Sequence, residues 1–313
     1  MSVRYSKIGA TITELTPPGG NNVVLNYSND EEYRKQDCYI GVTAGRVANR
    51  IGKARFVLDD KEWKVVANEG QNMLHGGNGW HNIDWDRIDI SDNICEFKLW
   101  SPHLDSGFPG SVEVTTKYES VVEDDVLKVT IEYTGRLTDD SLAKATIINL
   151  TNHSYYNPNG AGDISDVKMH IGSNRILEVD SESIPTGKIV PCTLAPESMY
   201  KELTTIGEVS LDNTFVFEET CKLDTRDEEL RLCCELYSPR AGTHIAVYST
   251  EPAFQVYTGD GLNGVYKARN GICIEPMRFT DAISFDKWKD QVILRSGQIY
   301  GSKIVIKTWK DKN

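Results

Sequence analysis

Hydrophobic and polar residues alternate with a period of two along much of this chain. Val112-Glu113-Val114-Thr115-Thr116-Lys117-Tyr118 and Leu127-Lys128-Val129-Thr130-Ile131-Glu132-Tyr133 put every second side chain on one face, and Lys303-Ile304-Val305-Ile306-Lys307 follows the same rhythm. Such segments predict antiparallel strands with one buried and one solvated face. Four other runs, 146–150, 245–248, 254–257 and 271–274, are apolar almost throughout and predict central strands covered on both faces. Turn residues punctuate the chain at Pro17-Pro18-Gly19-Gly20, Leu58-Asp59-Asp60-Lys61, Asn157-Pro158-Asn159-Gly160, Ser238-Pro239-Arg240 and Arg295-Ser296-Gly297. Helical periodicity is scarce, with room for one short turn or helix in 281–290. The absence of a strand–helix–strand rhythm argues against a doubly wound sheet. The pattern predicts a single all-β domain over 1–313, a large sandwich or related closed architecture.

Composition narrows the function classes. At 313 residues and 39% hydrophobic content the chain is long enough to bury a sizeable core. Its formal charge of −12 argues against nucleic-acid partners and against an anionic membrane surface. No run of about 18 apolar residues predicts a spanning helix. The start, Met1-Ser2-Val3-Arg4-Tyr5, has no apolar signal core. Seven scattered cysteines, an odd number without a CxxC pair, read as reduced thiols in a cytoplasmic protein rather than a disulfide framework or zinc finger.

Candidate chemistry lies where polar residues interrupt apolar or glycine-rich contexts. His153, in Thr151-Asn152-His153-Ser154-Tyr155 after the apolar 147–150 segment, reads either as a general acid–base or as a structural hydrogen-bonding residue. Glu275 ends the apolar 271–274 run before Pro276, so it is either a pocket base or a solvated strand end. Gly41 to Gly52 offers Asn49 and Arg50 among glycines, without the GK[ST] ending of a phosphate loop. His75 precedes Gly76-Gly77, where backbone approaches a ligand closely or simply turns. No HxH or HExxH spacing marks a metal site. Asp212 is a hydroxyl acceptor or a turn residue, and Gln255, polar within an apolar strand, needs a protein or ligand partner. Trp80, Trp85 and Tyr155 are candidates either to stack on a sugar or to fill the core.

In order along nearly the whole chain, these segments closely resemble the aldose 1-epimerase (galactose mutarotase) family. The strings are Gly45-Arg46-Val47-Ala48-Asn49-Arg50-Ile51, 72–77, Gly107-Phe108-Pro109-Gly110, 149–156, Ile184-Pro185-Thr186-Gly187, 211–215, Gln255-Val256-Tyr257-Thr258-Gly259 and 273–282. The C-terminal segments look most like fungal members. The resemblance implies a galactose mutarotase-like β-sandwich, or supersandwich. It also implies His153 as general acid and Glu275 as general base, on opposite sides of the sugar. Asn49, Arg50, His75, Asp212 and Gln255 would be substrate contacts. It implies no metal and no cofactor, a sugar as the partner, and a monomer or homodimer. Three departures stand out: Pro276-Met277 after Glu275 where a polar pair is common, Asn213 where a His is common, and Trp80-His81-Asn82 after Gly79. The expected function is anomer interconversion of an aldohexose such as galactose or glucose. The competing readings are epimerisation of a phosphorylated or otherwise modified sugar, and non-catalytic carbohydrate binding.

Overall fold

Two antiparallel sheets form the body of the protein in a computed structural model, which describes residues 1–312. The larger has nine strands in the order Thr204–Thr205, Lys168–Ile171, Arg231–Ser238, Thr243–Ser249, Tyr300–Lys310, Val126–Leu137, Val112–Glu123, Ile94–Ser101 and Asp86–Ser91. The smaller has six, in the order Tyr155–Tyr156, Ile272–Met277, Ala253–Tyr257, Asp212–Val216, Arg175–Val179 and Pro185–Pro191. The alternating segments become strands of the large sheet. Val112, Val114, Tyr118, Val129, Ile131 and Tyr133 are buried on one face. On the other, Glu132 lies between Lys117 and Lys303 across the ladder and pairs with Lys303 at 3.1 Å.

The sheets pack face to face as a β-sandwich. Tyr118, Ile131, Ile245, Val247 and Ile306 of the large sheet share one apolar cluster with Phe215, Phe254, Val256, Ile272 and Ile274 of the small one. The small sheet is covered on its second face too. There Leu177, Val216 and Ala253 meet Phe56, Phe108, Phe279, Ile283 and Trp288. Coverage on both faces explains why its strands are apolar almost throughout. It also gives the polar exceptions a direction. Phe254, Val256 and Ile274 point into the shared core, so alternation turns Gln255 and Glu275 to the second face, where the two are cross-strand neighbours.

Several expectations need correction. The apolar 146–150 run is buried but is not a central strand. Ala145–Ile147 pairs with Ile293–Arg295, and Asn149 forms an isolated parallel bridge with Val47. Its apolar character has another cause: Ile147 packs in the second cluster while Ile148 and Leu150 pack in the first, so the run threads between two cores. Val305, expected on a solvated face, is 2% exposed. It sits opposite Tyr248, whose ring lies 5.1 Å from the Lys307 ammonium. Residues 281–291 hold two short 3₁₀ turns, Ala282–Ser284 and Lys289–Gln291, the second ending one residue beyond the expected 281–290. A six-residue helix, Asp30–Lys35, has no apolar periodicity to announce it. Asn29 caps it by accepting the Glu32 N–H.

One buried ion pair ties the small sheet to the large. Arg278, just past the Ile272–Met277 strand, donates to Glu251 Oε2 at 2.6 Å with both side chains fully buried. The same guanidinium donates to the Leu223 and Gly301 carbonyls, and Asn149 exchanges hydrogen bonds with the Arg278 backbone in both directions. Glu251→Ala leaves Arg278 buried without its counterion and is expected to destabilise the fold by about 3–5 kcal/mol in denaturant unfolding. A loss below about 1 kcal/mol would show that the pair is dispensable.

Candidate active site

A cavity of about 260 Å³ opens on the second face of the small sheet. That is slightly below the range of roughly 300–1,000 Å³ usual for small-molecule sites, and suits a single sugar ring. All seven sequence-predicted site residues line it: Asn49, Arg50, His75, His153, Asp212, Gln255 and Glu275. Tyr155 also lines it. Trp80 and Trp85 do not: at 2% and 1% exposure they belong to the inter-sheet core, packed edge to face at 5.9 Å.

Three adjacent strands deliver the polar floor. In register, Thr214 lies opposite Gln255 and Gln255 opposite Glu275. The Gln255 amide donates to Asp212 Oδ1 at 2.6 Å and accepts from Thr214 Oγ1 at 2.7 Å, so it is held by protein and orients Asp212 toward the cavity mouth. Asp212 is therefore a strand residue with a structural partner, not a turn residue.

Loops opposite the floor bring the basic groups. His153 follows the short Thr151–Asn152 ladder, and its backbone is fixed on both sides: its N–H donates to Val42 and its carbonyl accepts from Gly41. Arg50 and Leu74 pair across a two-residue ladder, which seats the His75 turn beside Asn49. Gly76 is essential to that turn. Its φ is +82°, and a Cβ there would lie 2.0 Å from the Gly45 carbonyl oxygen. The Arg50 guanidinium makes a two-pronged bond to Glu69 at 2.7 and 2.8 Å and lies 4.0 Å from Asp212.

His153 Nε2 and Glu275 Oε2 are 3.7 Å apart, and both side chains are almost fully buried. That is too close to admit a sugar ring between them, so the pair approaches a substrate from one edge rather than from opposite sides. Among the described residues Glu275 Oε2 has no hydrogen-bond partner. Burial raises the Glu275 carboxyl well above its usual range; the charge of Asp212 adds to this and Arg50 offsets part of it. Burial lowers the His153 imidazole to about 4, its own backbone carbonyl opposing and His81 adding. Burial of the pair thus favours a protonated carboxyl beside a neutral imidazole. Moving that one proton from Glu275 to His153 gives the carboxylate–imidazolium form without changing the proton count.

His75, His153 and Glu275 each offer an atom within 4.8 Å of the others, close enough to enclose a cation. The donor set does not fit one. The Asn49 N–H donates to His75 Nδ1 at 3.2 Å, which consumes that lone pair and puts the proton of the neutral ring on Nε2. Burial, with the charges of His153 and Arg50, keeps the ring neutral well below the usual imidazole range. His75 therefore presents an N–H suited to a hydroxyl oxygen.

Two further contributors carry no sequence signal. Glu69 sits in a polar loop like many others, yet it fixes Arg50. Tyr39 packs its ring 4.6 Å from His75 and 5.7 Å from His153, but an aromatic near a glycine reads as core.

Comparison with known proteins shows the family of the chain. The family described as aldose 1-epimerase matches residues 1–307. The galactose mutarotase of Sus scrofa is 32% identical, with 93% of this chain and 86% of the relative covered. An uncharacterized isomerase of Saccharomyces cerevisiae is 33% identical over 95% and 90%. The bifunctional protein gal10 of Schizosaccharomyces pombe is 35% identical over 97% of this chain, which spans 43% of that longer protein. Among solved structures, a GalM/aldose epimerase homologue from C. elegans superposes with a TM-score of 0.86 at 24% identity, covering 99% of this chain and 96% of the other.

Because His75 has no free lone pair, dialysis against a chelator is expected to leave the melting temperature unchanged. A fall that zinc restores would contradict the tautomer assigned to His75.

Proposed function

The chain belongs to the aldose 1-epimerase family, and on that premise we propose that it interconverts the α and β anomers of an unmodified aldohexose of the galactose or glucose type, with His153 as acid and Glu275 as base. The observation that carries this reading is the buried pair at 3.7 Å. The two reacting oxygens, the C1 hydroxyl and the ring oxygen O5, are bonded to the same carbon, so acid and base must lie close together. Glu275 takes the proton of the C1 hydroxyl. The C1–O5 bond breaks, its electron pair stays on O5, and O5 takes a proton from His153 Nε2. The open-chain aldehyde then faces a protonated Glu275 and a neutral His153, the arrangement that burial favours. Rotation about C1–C2 presents the other face of the carbonyl, and the same transfers in reverse close the ring. No proton is gained or lost over the cycle. His75 Nε2–H, Asn49, the Asp212–Gln255 pair and Arg50 hold the sugar hydroxyls during the turn.

The cavity favours an uncharged sugar. Among the described residues Arg50 is the single Lys or Arg lining it, and Glu69 already engages that guanidinium, while Asp37 and Asp212 share the lining. A phosphate dianion would meet carboxylates and no free cation. A pure binder would not require an unpartnered carboxyl beside an imidazole. The seven cysteines stand unpaired, in keeping with a reducing, cytoplasmic setting. No helix among the described residues is long and apolar enough to cross a membrane.

Polarimetry on fresh α-D-galactose and α-D-glucose tests the proposal. His153→Asn and Glu275→Gln are each expected to lower kcat by about 10²–10⁴-fold. The active pair holds one proton. The rate therefore rises with pH as the doubly protonated pair loses its extra proton near about 4, and falls as Glu275 deprotonates above its ordinary range. Activity independent of pH, or retained in either variant, would refute the assignment. Hexose 6-phosphates are expected to mutarotate at the uncatalysed rate, and strong acceleration would refute the reading of an uncharged substrate.

A further inference from the structure

We propose that Cys273 is a positioning residue for the acid: its sulfur accepts the Nδ1–H of His153 and holds the ring in the tautomer whose Nε2 faces Glu275 and the sugar. This rests on the acid role proposed for His153. Cys273 Sγ lies 3.4 Å from His153 Nδ1, and both residues are buried. The sulfur is held firmly, because Cys273 pairs with Tyr155 on one side and Tyr257 on the other within the small sheet. It stands two residues before Glu275 on the same face, so one strand supplies both the base and the group that orients the acid. The His153 backbone is fixed by Val42 and Gly41, which leaves ring rotation and tautomer as its freedoms. The groups that face His153 are Glu275, His75, His81, Tyr39 and Tyr155.

The chemistry requires such a partner. His153 Nε2 must release a proton to O5 and later take one back. A neutral imidazole has one N–H; if it sits on Nε2, the ring has no lone pair there to accept the returning proton. Nδ1 must therefore stay protonated through the cycle, with an acceptor. A carboxylate in that place would stabilise the imidazolium and weaken the acid. A buried thiol, whose own proton is held by burial and, when Glu275 is ionised, by its charge, is a weak neutral acceptor. It fixes the tautomer while leaving the imidazolium ready to give its proton away.

The test combines ¹⁵N NMR of the His153 ring with kinetics of Cys273→Ala and Cys273→Ser. In the native protein the neutral ring is expected to carry its proton on Nδ1. Cys273→Ala is expected to populate the Nε2–H tautomer and to lower kcat about tenfold, the weight of one hydrogen bond to a charged group, with little change in KM. Losing the acceptor destabilises the imidazolium, so the acid limb of the rate profile moves to lower pH. Serine, with a shorter reach, is expected to restore part of both effects. An Nε2–H tautomer in the native protein overturns the proposal even if the alanine variant does not fold. So does a folded Cys273→Ala protein with native kcat and pH profile. In either case an inactive His153→Asn leaves the acid role standing, whereas an active His153→Asn removes the acid role itself.

Discussion

The site depends on keeping a carboxyl and an imidazole out of water, 3.7 Å apart, with no full counterion bonded to either. Ionising both in a dry cavity is costly, so burial pushes Glu275 up and His153 down until one proton is shared between them. That shared proton is the catalytic resource. Ring opening moves one proton onto the base and one off the acid, and ring closure moves both back. Burial tilts the pair toward the protonated carboxyl beside the neutral imidazole, so ring opening delivers it into the arrangement that burial favours. A strong counterion on Glu275 would remove that tilt. Arg50, the nearest cation of the cavity, is held by Glu69 and so offsets the Glu275 shift only in part.

The fold supplies dryness and rigidity by covering the small sheet on both faces. Its inner face shares the core of the sandwich, and its outer face is roofed by the 42–51 and 72–77 segments together with the His153 loop. Strand alternation then turns Glu275, Gln255 and Cys273 away from the inter-sheet core in one register. The Arg278–Glu251 pair and the Asn149 clamp anchor the end of the strand that carries Glu275. A short anchored strand places a carboxyl more reproducibly than a loop would.

Much of this was legible in the sequence, and the reasons are specific. Period-two alternation in 112–118 and 127–133 marked the large sheet, because one face of those strands meets water. Glu275 and Gln255 stood out as polar residues in apolar strands, and His75 and Asn49 as polar residues among glycines. Their common cavity could not be read, since cross-strand register decides it and register is set by distant pairings. The 146–150 run misled because burial between two cores looks the same as burial within a sheet. Trp80 and Trp85 offered a ring to a sugar as readily as to the core, and packing with each other decided it. Glu69, Tyr39 and Cys273 were silent. A Glu in a polar loop, a Tyr near a glycine and a Cys in an apolar strand are ordinary in those places, and only their contacts give them roles.

Burial favours the single proton of the pair on Glu275, and the proposed cycle passes it between Glu275 and His153 without exchange of net charge. The most direct measurement is an infrared difference spectrum between the native protein and Glu275→Gln at neutral pH, with and without bound sugar. A protonated-carboxyl stretch is expected in the native protein without sugar, absent from the variant and losing intensity to a carboxylate band when sugar binds. A carboxylate signature from Glu275 in the empty site, unchanged by sugar, would contradict it.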